Sequence, residues 1–239
     1  YVLSGRGATT FWPREGGPKA TFEWKEQSFF ALPANISYQH FNGDESIPAR
    51  FFAKTTLPAV MQYFKGKKFI FENDFIFENI EKDFYAGEAK IYNAGPPDYT
   101  IVWTANFVPD VRIFDQMTDH QHRGGGGSSV NFHQSGLVRL FAHMSDFPVG
   151  TYKKAHRHGP GANVIIVRGK GYSLLWEEGK AKRRVDWQEG SVLVPPDRWF
   201  HQHFNTSAES AMYLAIHWGN RKYPLLKAWS TIGKADVST

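Results

Sequence analysis

The 239-residue sequence has no cysteine, which excludes disulfides, thiolate metal sites and cysteine nucleophiles together. Any metal it binds has to be held by His, Asp, Glu, Asn or water. It also lacks any run of eighteen apolar residues, which excludes a helix able to cross a bilayer, and its start has no apolar core of a secretory signal. The expected location is cytoplasmic, with no membrane partner. The opening YVLSGRG already reads as a strand and its turn, so further residues are expected upstream of Tyr1, any targeting signal among them. Blocks of like charge are missing too. The net charge is +5, but Lys and Arg are scattered and no aromatic-basic RNA motif is present. This describes an ordinary basic surface with no nucleic-acid partner, compatible with an anionic small-molecule substrate.

Long runs of 3.6-residue periodicity are scarce as well, and short alternating runs broken by Gly, Pro, Asn or Asp take their place. With 41% hydrophobic and 16% aromatic residues the chain can fill a substantial core. The expected strands are GLVRLFAHMS (136–145), TYKKAHRH (151–158), NVIIV (163–167), YSLLWEE (172–178), SVLVP (191–195), FHQHFN (200–205) and AMYLAIHW (211–218). Strands this short and closely spaced predict an all-β barrel or sandwich.

An internal repeat organises the chain. YVLSGRGATTFW (1–12) superposes on VIIVRGKGYSLLW, placing Gly5 on Gly169, Gly7 on Gly171 and Trp12 on Trp176. EWKEQSFFALPANISYQHFN (23–42) superposes on DWQEGSVLVPPDRWFHQHFN (186–205), placing Trp24 on Trp187 and Pro33 on Pro196, with QHFN in both. The division that follows is a partial first copy at 1–55, without a metal motif and lacking its opening strands, a connector at 56–135, and a second copy at 136–239. In the connector, TTLPAVMQYFKG predicts a short helix, FIFEN occurs twice, and DHQHRGGGGSSV (119–130) reads as a flexible loop in which His120 and His122, like the nearby His133, are solvated.

Side chains alternate along a strand, so His156 and His158 of AHRH share a face about 6.6 Å apart at Cα and can share one metal. FHQHFN adds His201 and His203, again on one face. The first copy has Tyr38 where the second has His201. By the same alternation Tyr152 and Lys154 share the face of the histidine pair, while Lys153, Ala155 and Arg157 point outward. Lys154 is placed to meet a substrate carboxylate, and Tyr152, Trp199, Tyr213 and His217 are candidate pocket walls.

These residues resemble the cupin superfamily. Gly150, His156, His158 and Gly169 match its first motif, without the internal glutamate, and Gly190, Pro196, His201 and Asn205 match its second, with Arg198 at the internal glycine. The resemblance implies a double-stranded β-helix, a jelly-roll barrel, in two tandem copies: a bicupin, with a homo-oligomer as the default. AHRH followed by no glutamate, then RWFHQHFN, is similar to the gentisate and salicylate ring-cleaving dioxygenases. That implies Fe(II) on His156, His158 and His201, with His203, Lys154 and Tyr152 as catalytic candidates, His203 or Lys154 handling protons. A neutral ligand set leaves a divalent metal its full charge, suited to a bidentate anion and then dioxygen. The expected activity is cleavage of a C–C bond in a small hydroxylated aromatic or dicarbonyl substrate. The alternatives are a non-redox isomerase, decarboxylase or lyase using Mn, Zn or Ni, and a ligand-binding cupin without turnover.

Overall fold

The computed structural model describes residues 1–13, 16–75, 82–88, 90–93, 101–114, 118–120, 127–134, 140–159 and 162–218. His122, residues 124–126 of the glycine run, most of the second FIFEN and residues 136–139 of the expected strand lie outside them. The first strands are β1 (Val2–Ser4), β2 (Arg6–Trp12), β3 (Ala20–Lys25), β4 (Phe29–Phe30), β5 (Ser37–Asn42) and β6 (Arg50–Phe51). Helices α1 (Leu57–Phe64) and α2 (Lys67–Phe71) follow, then β7 (Lys90–Asn93), β8 (Ile101–Thr104), β9 (Phe107–Val108), β10 (Thr118–His120) and β11 (Gly127–His133). The remainder is β12 (Leu140–Phe147), β13 (Asn163–Arg168), β14 (Lys170–Trp176), β15 (Arg183–Gln188), β16 (Val192–Leu193), β17 (Phe200–Asn205) and β18 (Ala211–Trp218). No helix among the described residues is long and apolar enough to cross a membrane.

The fold is all-β, and the chain divides into two compact units: Tyr1–Lys90 with Thr104–Ile113 and His133–Val138, and Ile91–Trp103 with Phe114–Phe132 and Arg139–Thr239. The expected connector is divided between them. In its first half α1 forms where the sequence predicts it, with proline in its first turn where the missing N–H costs nothing. The second half departs from expectation. His120 and His133 stand on β10 and β11, which pair antiparallel, so the described ends of the predicted loop are paired strands. Serine and valine after the glycines supply a ladder that β12 extends, with Val130 opposite Met144.

The second unit builds its barrel from two sheets. One runs β16-β13-β18-β12-β11-β8-β7, with β10 on β11, and the other runs β15-β14-β17. Val164, Ile166, Ala211, Tyr213, Ala215 and Phe147 from the first meet Leu175 and Trp187 from the second in one core. Strand β14 alternates, burying Gly171, Ser173 and Leu175, whereas β13 is buried at four successive positions because both its faces are covered. Strand β15 is an addition to the expected set: its RRVDWQ exposes every residue but Trp187, so it has no apolar alternation to betray it.

The repeat holds to the level of register. Gly7 lies opposite Trp24 and Asn42, and Gly171 opposite Trp187 and Asn205. Both glycines are required by space: a Cβ on Gly7 would meet the Phe41 carbonyl and the Trp24 ring, and one on Gly171 the Phe204 carbonyl and the Trp187 ring. The copies differ in cover. Every position of β5 is exposed, whereas β17 buries His201, His203 and Asn205.

That cover is the segment 151–158, and it corrects the sequence reading. It forms no continuous strand but touches β17 through isolated bridges at Tyr152–Phe204 and His156–His201. Four steps along one chain thus answer three along the other, and an extra residue of this kind reverses which side chains face inward. Lys153, expected outside, is 5% exposed, donates from Nζ to the Asp146 carbonyl at 2.8 Å and lies over the Phe147 ring. Tyr152, expected on the histidine face, is 44% exposed and packs on Phe204, so it is not a wall of the site. Ala155, also expected outside, is buried.

Candidate metal centre

The bulge leaves the phase of the histidines intact, because the His156–His201 bridge lies beyond it. One ring nitrogen from each of His156, His158 and His201 lies within 4.8 Å of the other two, and this is the cluster of metal-binding side chains found among the described residues. Three nitrogens about 2.1 Å from one metal lie roughly 3 to 3.4 Å apart, so small ring rotations close the cluster on an ion. The donors fit a divalent first-row cation.

Two local hydrogen bonds prepare the ligands. His156 Nδ1–H donates to the Lys154 carbonyl at 2.9 Å, and His201 Nδ1–H donates to the Trp199 carbonyl at 3.2 Å. A carbonyl only accepts, so in both rings the proton sits on Nδ1 and Nε2 keeps its lone pair for a metal. Burial drives the pKa of His158 down to about 4 and that of His201 well below its ordinary value, with further lowering from the neighbouring imidazoles. His158 and His201 are therefore neutral at pH 7 and give up no proton on taking a cation. Among the described residues no carboxylate joins the cluster. The position where the cupin glutamate is absent holds buried Ala162 and half-buried Asn163.

Around the cluster the structure places the other candidates unevenly. His203 is buried 5.6 Å, ring to ring, from His201, its Nδ1 bonded to Ser173 Oγ at 2.7 Å, and burial lowers its pKa to about 3. His217 packs 5.5 Å from the His158 ring, and Tyr213 5.5 Å from the His203 ring. Trp199 packs against the barrel core and Arg183 lies over its ring. Lys154 contributes its carbonyl to His156 and is half-buried.

Sequence reasoning missed His143 and Ser173. His143 Nδ1 and His217 Nε2 share a hydrogen bond of 3.1 Å across 74 residues, which depends on the β12–β18 register and leaves no trace in spacing. Ser173 was within reach, because the repeat sets a hydroxyl residue, Thr9, at the matching place opposite His40.

No protein-family model matches the chain, and no curated protein does. Solved structures do. A cupin 2 conserved barrel domain protein of Rhodopseudomonas palustris is 20% identical, matching 47% of this chain and 73% of its own, with a TM-score of 0.36. The oxalate decarboxylase of Bacillus subtilis, a protein with Mn(II) centres, is 15% identical over 92% of this chain, with a TM-score of 0.52. The oxalate decarboxylase of Lactobacillus farciminis, solved as a formate complex, is 13% identical over 94%, also at 0.52. The chain spans 63% of the Bacillus protein's length and 70% of the Lactobacillus one's. The fold is the jelly-roll cupin barrel, in the two-copy bicupin arrangement. The Bacillus and Lactobacillus neighbours are oxalate decarboxylases.

Proposed function

From a bicupin fold with a three-histidine cluster, we propose that this protein is a metal-dependent enzyme whose second copy cleaves a carbon–carbon bond of a small carboxylate without net oxidation, as a decarboxylase or lyase. The observation that carries it is the convergence of His156, His158 and His201, two of them oriented by backbone carbonyls, in a barrel whose solved neighbours include oxalate decarboxylases. When bound, a divalent cation supplies Lewis acidity to the substrate's oxygens. The chain's own residues do the rest. Because the ligands are all uncharged, the ion keeps its full charge and favours an anion. The carbonyls at 154 and 199 hold two of the ligand rings in orientation. His203 and His217 bring their rings next to the cluster, and Tyr213 packs on the His203 ring.

The Mn(II) centres of the Bacillus neighbour point to manganese. The all-imidazole donor set favours iron, nickel or zinc over manganese, which prefers oxygen ligands. That donor set is also what supports a second reading, an Fe(II) dioxygenase acting on a hydroxylated aromatic or dicarbonyl with dioxygen as co-substrate. Protein stripped and reloaded with Mn(II), Fe(II), Ni(II) or Zn(II) separates the two, assayed under argon and under air with oxalate, other small carboxylates, dihydroxy-aromatics and diketones. Release of carbon dioxide without oxygen consumption supports the first reading. Oxygen uptake confined to the iron form moves the assignment to the second, and stoichiometric binding with no turnover leaves a ligand-binding protein.

A further inference from the structure

One hydrogen-bond chain occurs twice in this molecule. In the second unit Trp187 Nε1–H donates to Ser173 Oγ at 3.0 Å, and Ser173 Oγ is 2.7 Å from His203 Nδ1. In the first, Trp24 Nε1–H donates to Thr9 Oγ1 at 2.9 Å, and Thr9 Oγ1 is 2.7 Å from His40 Nδ1. Ser173 and Thr9 are both 0% exposed, so water satisfies neither hydroxyl. An indole nitrogen only donates, and a hydroxyl has a single proton to place. Were the imidazole protonated on Nδ1, the hydroxyl would accept from both neighbours and its own proton would be stranded in the core, a buried donor without an acceptor. The arrangement that uses every group runs indole to hydroxyl to Nδ1, which puts the imidazole's one proton on Nε2. Serine in one copy and threonine in the other share only the hydroxyl, which is the part the argument needs.

What Nε2 then faces differs between the copies. His40 is exposed in the first. His203 is 3% exposed, stands on the same inward face of β17 as His201, and none of the described residues bonds its Nε2. We propose that Trp187 and Ser173 lock His203 in its Nε2–H tautomer, so that it meets an anionic oxygen of the substrate at the three-histidine cluster as a hydrogen-bond donor and not as a base. The substrate half of this rests on the proposed function. Ser173 and Trp187 are positioning residues, acting through His203. The ligands beside it, His156 and His201, carry their protons on Nδ1, so neighbouring imidazoles in one barrel are set to opposite tautomers by what each Nδ1 meets: a carbonyl there, a hydroxyl proton here.

The test reads the tautomer directly. Long-range nitrogen–proton NMR on metal-free, nitrogen-15-labelled protein distinguishes a ring nitrogen that bears a proton from one that does not. The expected spectrum shows His203 protonated on Nε2 in the wild type and in Ser173→Thr, and a mixture of tautomers in Ser173→Ala. On Mn(II)-loaded protein, formate binding followed by calorimetry should weaken about tenfold or more in Ser173→Ala, the loss expected of one charge-assisted hydrogen bond, and recover in Ser173→Thr. Manganese stoichiometry should be the same in all three. A proton on Nδ1 in the wild type overturns the proposal, as does formate affinity indifferent to the loss of the hydroxyl. The wild-type spectrum alone decides the tautomer, so an unfolded Ser173→Ala protein leaves the test standing. If no variant binds Mn(II), Fe(II), Ni(II) or Zn(II) the functional reading falls, while the metal-free spectrum still decides the hydrogen-bond chain.

Discussion

At Arg198 the backbone adopts a φ of +60°, in the left-handed region where a Cβ crowds the following carbonyl. This is the place where the second cupin motif has glycine, and Asn35, its counterpart in the first copy, has a φ of +55°. The departure from the motif is therefore a substitution the turn tolerates under strain. Arg198→Gly should leave the fold unchanged and raise stability by up to about 1 kcal/mol, the strain relieved being partly offset by the freer unfolded chain. Denaturant midpoints at equal slope measure it. The ligand histidines behave differently: His156→Ala or His201→Ala removes one of three donors, and each should drop metal content from near one ion per chain to near none by plasma mass spectrometry of anaerobically purified protein. Retention of the ion in both variants would sink the cluster as a metal centre.

Among the elements, segment 151–158 shows where alternation succeeds and where it fails. The His-x-His spacing and the FHQHFN strand located the cluster, because both pairs lie beyond the bulge and obey the two-residue period. Tyr152 and Lys153 lie before it, and one extra residue exchanged their faces. No local signal announces a bulge that exists only through pairing with a strand about fifty residues on. Lys153→Ala should accordingly destabilise by about 2 to 3 kcal/mol, since a buried ammonium bonded to the Asp146 carbonyl and lying on Phe147 is lost, while Lys154→Ala should shift stability by less than about 0.5 kcal/mol. Equal losses in thermal melts would restore the original alternation. The repeat was readable because glycine, tryptophan and asparagine recur where close approach demands them. Strand β15 and the β10–β11 pairing were not, since charge masks one and glycine the other.

For the whole molecule, the buried histidines tie stability to pH. His158, with a pKa of about 4, and His203, at about 3, stay neutral in the fold through a range where the unfolded chain, near 6.5, binds protons. Above about pH 6.5 neither state is protonated at these sites and their contribution to stability is complete. As pH falls below that value the unfolded state gains protons that the folded state refuses, and stability is lost at up to roughly 1.4 kcal/mol per pH unit for each such histidine until the folded values are reached. Metal-free protein should therefore show a denaturation midpoint that declines from pH 6.5 towards pH 4. A flat profile over that window would contradict the burial.

The two copies also turn every sample of this protein into its own control experiment. His40 and His203 share an indole, a hydroxyl and a cross-strand partner, yet Tyr38 stands in the first copy where His201 stands in the second. A spectroscopic or thermal response that both histidines display belongs to the hydrogen-bond chain they have in common. One that His203 displays alone belongs to the histidine cluster beside it, and it can be read in a single tube without comparing two preparations.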